Sequence, residues 1–202
     1  MFHLCGFMRP RDEHKLLIIK EKAIEMMVRD GFEGLSMQKL AKAADISPAT
    51  IYIHYTGREE MVEAIHTDVM ELFTKIALQD FTPDLDLASG LWIQWKNRME
   101  FARTFPMYFT FLQQFRTSTM VRCDQSEFKH NMKTFLQNAI ERGEIVEMPA
   151  EAFWSLAYGP LYALLDFHFK KKSISPRTFT LTDEILKTVF DRVILSLNYT
   201  TL

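Results

Sequence analysis

The chain has 202 residues, 48% of them hydrophobic and 25% charged, with a formal net charge of −2. That balance excludes an intrinsically disordered chain, and the length allows a buried core without disulfides or metals. Seven Gly and seven Pro are too few for a turn-rich β fold and favour long helices. Cys5 and Cys123 stand far apart, with no Cys or His at ligand spacing. Neither a disulfide scaffold nor a metal site is expected, and a reducing cytoplasm is the expected compartment. The first eight residues, MFHLCGFM, are short and lack the basic leader of a signal peptide. The longest uncharged run, Ala152 to Leu165, falls short of the roughly 20 residues a membrane span needs, so no membrane partner is expected.

Apolar residues recur at helical spacing along almost the whole chain. A helix over 12–29 sets Leu16, Leu17, Ala23, Ile24, Met27 and Val28 toward one side, and Gly31 stops it. Ser36 offers an N-cap to a short helix carrying Met37, Leu40, Ala41 and Ala44. Ser47-Pro48 opens another, Pro48 to about Tyr55, with proline at the first helical position where its missing N–H costs nothing. Arg58-Glu59-Glu60 starts a helix to about Gln79, its acids complementing the helix dipole. Further helices are expected over 84–104, 106–117, 124–142, 149–171 and 181–199. The breaks between them fall at Phe105-Pro106, around Ser118, from Gly143 to Pro149 and from Ser173 to Pro176. Gly159-Pro160 should bend the helix over 149–171. No segment alternates with period two, so the expected class is all-α.

Residues 36–55, SMQKLAKAADISPATIYIHY, carry the strongest signal: a helix, a turn of about four residues and a second short helix. Leu40, Ala41 and Ala44 form the inward face of the first helix, and the small Ala41 lets the two helices cross closely. Ile46 plugs the turn, and Ile51 and Tyr55, four apart, face the same core. Ser47, Pro48, Ala49, Thr50, Tyr52, Ile53 and His54 are left nearer the outside, a surface suited to touching a partner. Mere packing of short helices is the rival account of this pattern.

From Leu17 to Met61 the sequence resembles the N-terminal domain of the TetR family of transcriptional regulators. The resemblance is carried by Ala23, Gly31, Ser36, Leu40-Ala41, Ala44, Ile46-Ser47, Ile51-Tyr52, His54-Tyr55 and Arg58-Glu59-Glu60-Met61. Asp45 departs from the pattern, since the family most often has Gly there, at a turn residue that needs positive φ; Asp tolerates that conformation better than most. Thr56-Gly57 replaces a loop that is often more basic. The resemblance implies a helix-turn-helix domain over 9–57, with a larger effector-binding and dimerisation domain over 58–202. The helix from Pro48 to Tyr55 would lie in the major groove of an operator. It makes Thr50 and Tyr52, with Pro48 and Ala49 beside them, candidates for base or nearby contact. Ser36, Ser47, His54, Tyr55 and Arg58 become candidates for phosphate contact, and Lys39, Arg9 and Arg11 for electrostatic attraction. Residues 9–58 hold nine Lys or Arg against seven acids, a net of +2, so one head alone should bind weakly and a dimer over a palindromic operator is expected.

Of the 26 aromatic residues, 21 follow residue 72. Most should be packing. The resemblance implies that some line an effector cavity, for which Trp95, Met99, Phe111, Phe115, Phe128, Trp154, Tyr158 and Tyr162 are the candidates. Asp166, in an apolar stretch, either pairs with a cationic ligand or faces solvent. The last two helices are the ones the family uses to dimerise, and Ile185, Leu186, Val189, Phe190, Val193, Ile194 and Leu197 give the final one a broad apolar stripe. The function so implied is a ligand-responsive regulator, a repressor released from double-stranded DNA by a small apolar or aromatic effector, with the helix over 58–79 as the lever. The alternative is a helical protein-interaction module without specific DNA binding. No activated nucleophile, carboxylate pair or cofactor loop supports an enzyme, and His3, His14, His66, His130 and His168 have no ligand-spaced partner.

Overall fold

The computed structural model describes residues 10–115, 126–170, 174, 176 and 178–197. The regular structure among the described residues is helical throughout. It comprises α1 (Pro10–Asp30), α2 (Met37–Ala43), α3 (Pro48–Tyr52), α4 (Arg58–Ala77), α5 (Leu87–Thr104), α6 (Pro106–Phe115), α7 (Ser126–Glu141), α8 (Ala150–Ala157), α9 (Gly159–Lys170) and α10 (Asp183–Leu197), with a 3-10 turn at Phe32–Gly34. Cys5, Cys123, His3, Arg9, the side chain of Arg11 and the break expected around Ser118 lie outside the described residues.

Local chemistry accounts for the helix ends. Gly31 takes φ 74°, which ends α1 and lets the chain turn into the 3-10 segment. Asp86 caps α5, its carboxylate accepting from the Ser89 N–H at 2.9 Å, and these hydrogen bonds hold its carboxyl below the usual carboxylate range. The helix expected over 149–171 is two helices. Tyr158 separates α8 from α9, because Pro160 has no N–H to continue the ladder and its ring crowds the preceding turn. In α1 the inward stripe is Ile19, Ala23, Ile24, Met26 and Met27, all buried, whereas Leu17 is 51% exposed. Leu17 lies about 200° round the helix from Ile19, so it corrects the stripe proposed from Leu16 and Leu17.

The helices pack as two compact units. Residues 10–70 with 107–115 make the first, and 71–106 with the described residues from 126 onward make the second. The first has Ile19, Ala23, Met27, Leu35, Leu40, Ala41, Ile51, Met61 and Ile65 at its centre. Phe111 and Phe115 of α6 join it, Phe115 lying 4.3 Å from the ring of Phe32 and 4.7 Å from that of His66. The second unit is centred on Trp95, Phe101, Phe135, Leu91 and Leu161, all fully buried. The Trp95 indole N–H donates to the Ala157 carbonyl at 2.8 Å, giving the ring's one polar atom a partner. Gly90 is required by close approach, because a Cβ there would stand 2.4 Å from the Phe135 ring. Gln94 donates to the Ala77 carbonyl at 2.7 Å, and Asn97 donates to the carbonyls of Ala77 and Gln79. These bonds satisfy acceptors left over at the end of α4.

Candidate nucleic-acid interface

The turn between α2 and α3 is built by hydrogen bonds the sequence makes possible. Ile46 donates to the Ala41 carbonyl at 3.0 Å and Asp45 to that of Lys42 at 3.4 Å, while Asp45 itself has φ 54°. This is a Schellman ending, which needs one left-handed residue after the helix cap, and Asp45 supplies it in place of glycine. Ser47 then caps α3, accepting from the Thr50 N–H at 3.3 Å, with Pro48 in the first turn. The assigned helix ends at Tyr52, three residues before the expected Tyr55. Even so, the N–H groups of Ile53 and Tyr55 still bond to the carbonyls of Ala49 and Ile51, so the helical path extends beyond the assigned end.

This winding sorts the side chains of residues 47–55 into two sets. Ile51 is fully buried and Tyr55 only 6% exposed. Burial, with the charges of Asp68 and Glu60 nearby, pushes the Tyr55 hydroxyl up to about 12, so it keeps its proton at neutral pH and remains a donor. Ser47, Pro48, Ala49, Tyr52 and Ile53 are exposed, Ile53 to 78%, and Thr50 and His54 are half-buried. The Thr50 hydroxyl lies 3.0 Å from that of Ser47. Ser36 stands at the cap position of α2 in extended conformation, and its hydroxyl makes no cap bond.

The cations around this surface differ in availability. Arg58 is held within the first unit. Its guanidinium lies 3.3 Å from the Glu33 carboxylate, donates to the Phe32 carbonyl at 3.4 Å and stands 3.6 Å from Glu59. Lys20, Lys22 and Arg29 are likewise paired, with Asp68, Glu25 and Asp30. Lys39 and Lys42 on α2 are exposed and make no ion pair among the described residues. Lys42 is not among the sequence-based candidates, although its place three residues beyond Lys39 puts both on one helix face. At the start of α4 the Glu60 carboxylate accepts from both the N–H and the hydroxyl of Thr56, which holds it below the usual carboxylate range.

The proposed cavity residues are divided between the units. Phe111 and Phe115 lie in the first, beside Phe32 and His66, and the other six in the second. There Trp95, Met99 and Tyr158 are buried, and Phe128, Trp154 and Tyr162 half-buried. The rings of Trp154 and Tyr162 stack at 5.5 Å. An open cleft of about 330 Å³ between α5 and the start of α10 is lined by Trp92, Lys96, Met99 and Leu186 among others; Met99 is the one proposed cavity residue on its wall. Asp166 is exposed and pairs with Lys170 at 2.5 Å. The residue that sequence reasoning missed is Arg98, only 3% exposed and ringed by aromatics. Its spacing held the signal, since it falls three residues after Trp95 and seven after Leu91, on the inward face of α5. Among the described residues no cluster of His, Cys, Asp or Glu is arranged to hold a metal, and no described helix is long and apolar enough to cross a membrane.

Residues 19–65 match the family model of bacterial regulatory proteins, tetR family. An uncharacterized HTH-type transcriptional regulator of Haemophilus influenzae is 26% identical over 83% of this chain and 87% of its own. The crystal structure of a TetR family transcription regulator from Marinobacter aquaeolei is similar at 25% identity. It has a TM-score of 0.77 and covers 96% of this chain and 100% of that one. The fold also matches that of AibR in complex with isovaleryl coenzyme A and operator DNA, with a TM-score of 0.59 and 19% identity over 91% of this chain and 98% of that one.

Proposed function

The chain belongs to the TetR family of DNA-binding transcriptional regulators, which are not enzymes, and from that premise we propose that it is an effector-controlled repressor acting as a homodimer on a palindromic operator. The observation that carries this reading is the two-sided segment 47–55. Ile51 and Tyr55 anchor it, while Tyr52, Ile53 and the capped Ser47-Pro48-Ala49 start face outward. In this reading Thr50 and Tyr52, with Pro48 and Ala49, approach base edges in the major groove, and Ser36, Ser47, His54 and the Tyr55 hydroxyl hold phosphates. Lys39 and Lys42 add the sequence-independent attraction of exposed cations. Arg58 contributes mainly by fixing the start of α4 against the turn at Phe32–Gly34.

Two heads are needed because one offers few phosphate contacts, and a symmetric operator matches a symmetric dimer. The dimer surface would come from α8, α9 and α10. Leu186, Phe190, Val193 and Leu197 are buried within the protomer, while Ile185, Val189 and Ile194 of the same stripe are only half-buried and Leu156 and Leu195 are 44% and 63% exposed, so apolar surface is left for a partner helix. Release requires an effector that binds better to a conformation whose heads are mis-spaced for the operator. The effector would lie among the aromatics of the second unit, Trp95, Met99, Phe128, Trp154, Tyr158 and Tyr162, with Phe111 and Phe115 of α6 as further candidates. Helix α4 joins the two units covalently, with the division at Met70 and Glu71. AibR, caught with both isovaleryl coenzyme A and operator DNA, supports the pairing of effector and operator within this fold.

The test is a gel shift on the DNA flanking the protein's own gene, with wild type and a Thr50→Ala, Tyr52→Ala double variant. Each lost base contact should weaken binding by about 1–3 kcal/mol, so the double variant should lose specific binding while keeping weak, salt-sensitive binding. Undiminished specific binding by that variant would remove α3 from the reading role.

A further inference from the structure

Arg98 is the one Lys or Arg buried among the described residues. Its guanidinium lies 4.4 Å from the centre of the Tyr158 ring, 5.5 Å from that of Phe128 and 5.6 Å from that of Phe73. It donates from Nη1 to the Gln94 main-chain carbonyl at 3.2 Å and to the Gln94 side-chain oxygen. Its Nε is buried with no acceptor among the described residues. No carboxylate among the described residues pairs with it. Asp166, Asp183, Asp191 and Glu144 of the same unit are each paired with another cation. The Tyr158 hydroxyl is similarly underused, bonding among the described residues only to the Met132 sulfur at 3.7 Å.

A guanidinium cannot shed its proton inside a protein. Aromatic faces and a neutral amide return only part of the hydration it gives up on burial. A buried cation without a counter-charge therefore weakens the fold, and a core position on α5 would be better filled by Leu or Met. Its three neighbouring rings offer an apolar wall, while its Nε–H remains available as one half of the planar fork that matches a carboxylate. We propose that Arg98 anchors an effector that is an organic acid: an apolar body packed against Phe73, Phe128 and Tyr158, with a carboxylate on the Nε edge of Arg98 and the Tyr158 hydroxyl donating to the same group. This rests on the effector-controlled reading above and narrows the effector from apolar to apolar and anionic. Part of the fold's stability is then given up in the free protein and regained when the acid arrives.

The test compares thermal unfolding of the full chain with two acids, octanoate and 4-phenylbutyrate, and with their neutral isosteres octanamide and 4-phenylbutanamide. Wild type should gain several degrees with at least one acid and none with the amides. Arg98→Met should unfold at the wild-type midpoint or above it without ligand, and should not respond to the acids. Arg98→Lys, which keeps the charge but loses the planar fork, provides a folded comparison and should need at least tenfold more acid for the same rise. The proposal is overturned if the amides match the acids, if neither acid shifts the wild type, if the acid response survives in both variants, or if Arg98→Met lowers the unliganded midpoint. A gel shift on the same samples separates the two readings. Acids that stabilise the protein through Arg98 yet leave the operator complex intact would refute release of the operator, and the acid site would stand.

Discussion

The two units place their cations in opposite surroundings. The first keeps Lys39 and Lys42 in water on α2, over a core of Ile, Leu, Met and Ala. The second buries Arg98 among Phe73, Phe128 and Tyr158. A solvated charge costs little to keep and acts over about a Debye length, roughly 8 Å at physiological salt, which suits a polyanionic partner met anywhere along its backbone. A buried charge is expensive and little screened, but only a group small enough to enter its surroundings can pair with it, which suits one small ligand held in one pose. The net charge of −2 averages over both arrangements and describes neither.

Four measurements would break or sharpen this contrast. The largest effect is expected in the aromatic unit: Trp95→Ala removes a fully buried ring and its bond to Ala157 and should cost about 3–5 kcal/mol, read by denaturant unfolding. Next is a pair in the segment 47–55. Ile51→Ala should cost about 2–4 kcal/mol of stability, whereas Ile53→Ala, at a 78% exposed position, should stay within about 0.5 kcal/mol. If the two variants destabilise alike, the division of residues 47–55 into an anchored and an outward face is wrong.

The third measurement concerns His66, buried in the first unit with its Nδ1 lacking a partner among the described residues. Burial lowers its pKa from the ordinary 6.5, so between the lowered value and 6.5 the unfolded chain binds more protons than the folded one. Stability should therefore fall as the pH drops below 6.5, and His66→Gln should flatten that part of a plot of unfolding midpoint against pH. An unchanged slope would assign the acid sensitivity to other groups. The smallest effect belongs to the solvated cations. Lys42→Ala should leave the folded stability within about 0.5 kcal/mol and reduce the salt dependence of operator binding by about one unit of log–log slope. An unchanged slope would take Lys42 off the phosphate track.

The helix-turn-helix was legible because its signals are local. Ser47-Pro48 dictates a helix start, Asp45 tolerates the left-handed turn, and Ile51 and Tyr55 share a face by spacing alone. The break near Gly159-Pro160 was legible for the same reason, though it proved to be a full interruption at Tyr158. Leu17 was misplaced because in α1 several apolar stripes fit the pattern, and only the packing of α1 against its neighbours selects Ile19, Ala23, Ile24, Met26 and Met27. The cavity candidates are divided between the two units, since a Phe at helical spacing does not say which core it enters. Phe111 and Phe115 join Phe32 and His66, far away in sequence.

The amino-acid sequence by itself determined the helical class, the helix-turn-helix and the aromatic character of the second half. Caps, left-handed turns and three-to-four spacing are properties of a few consecutive residues. The tertiary structure alone decided which cations remain in water and which one is buried, because desolvation is set by neighbours distant along the chain. Spacing puts Arg98 on the inward face of α5, but its charge leaves water only when Phe73, Phe128 and Tyr158, from three other parts of the sequence, close around it.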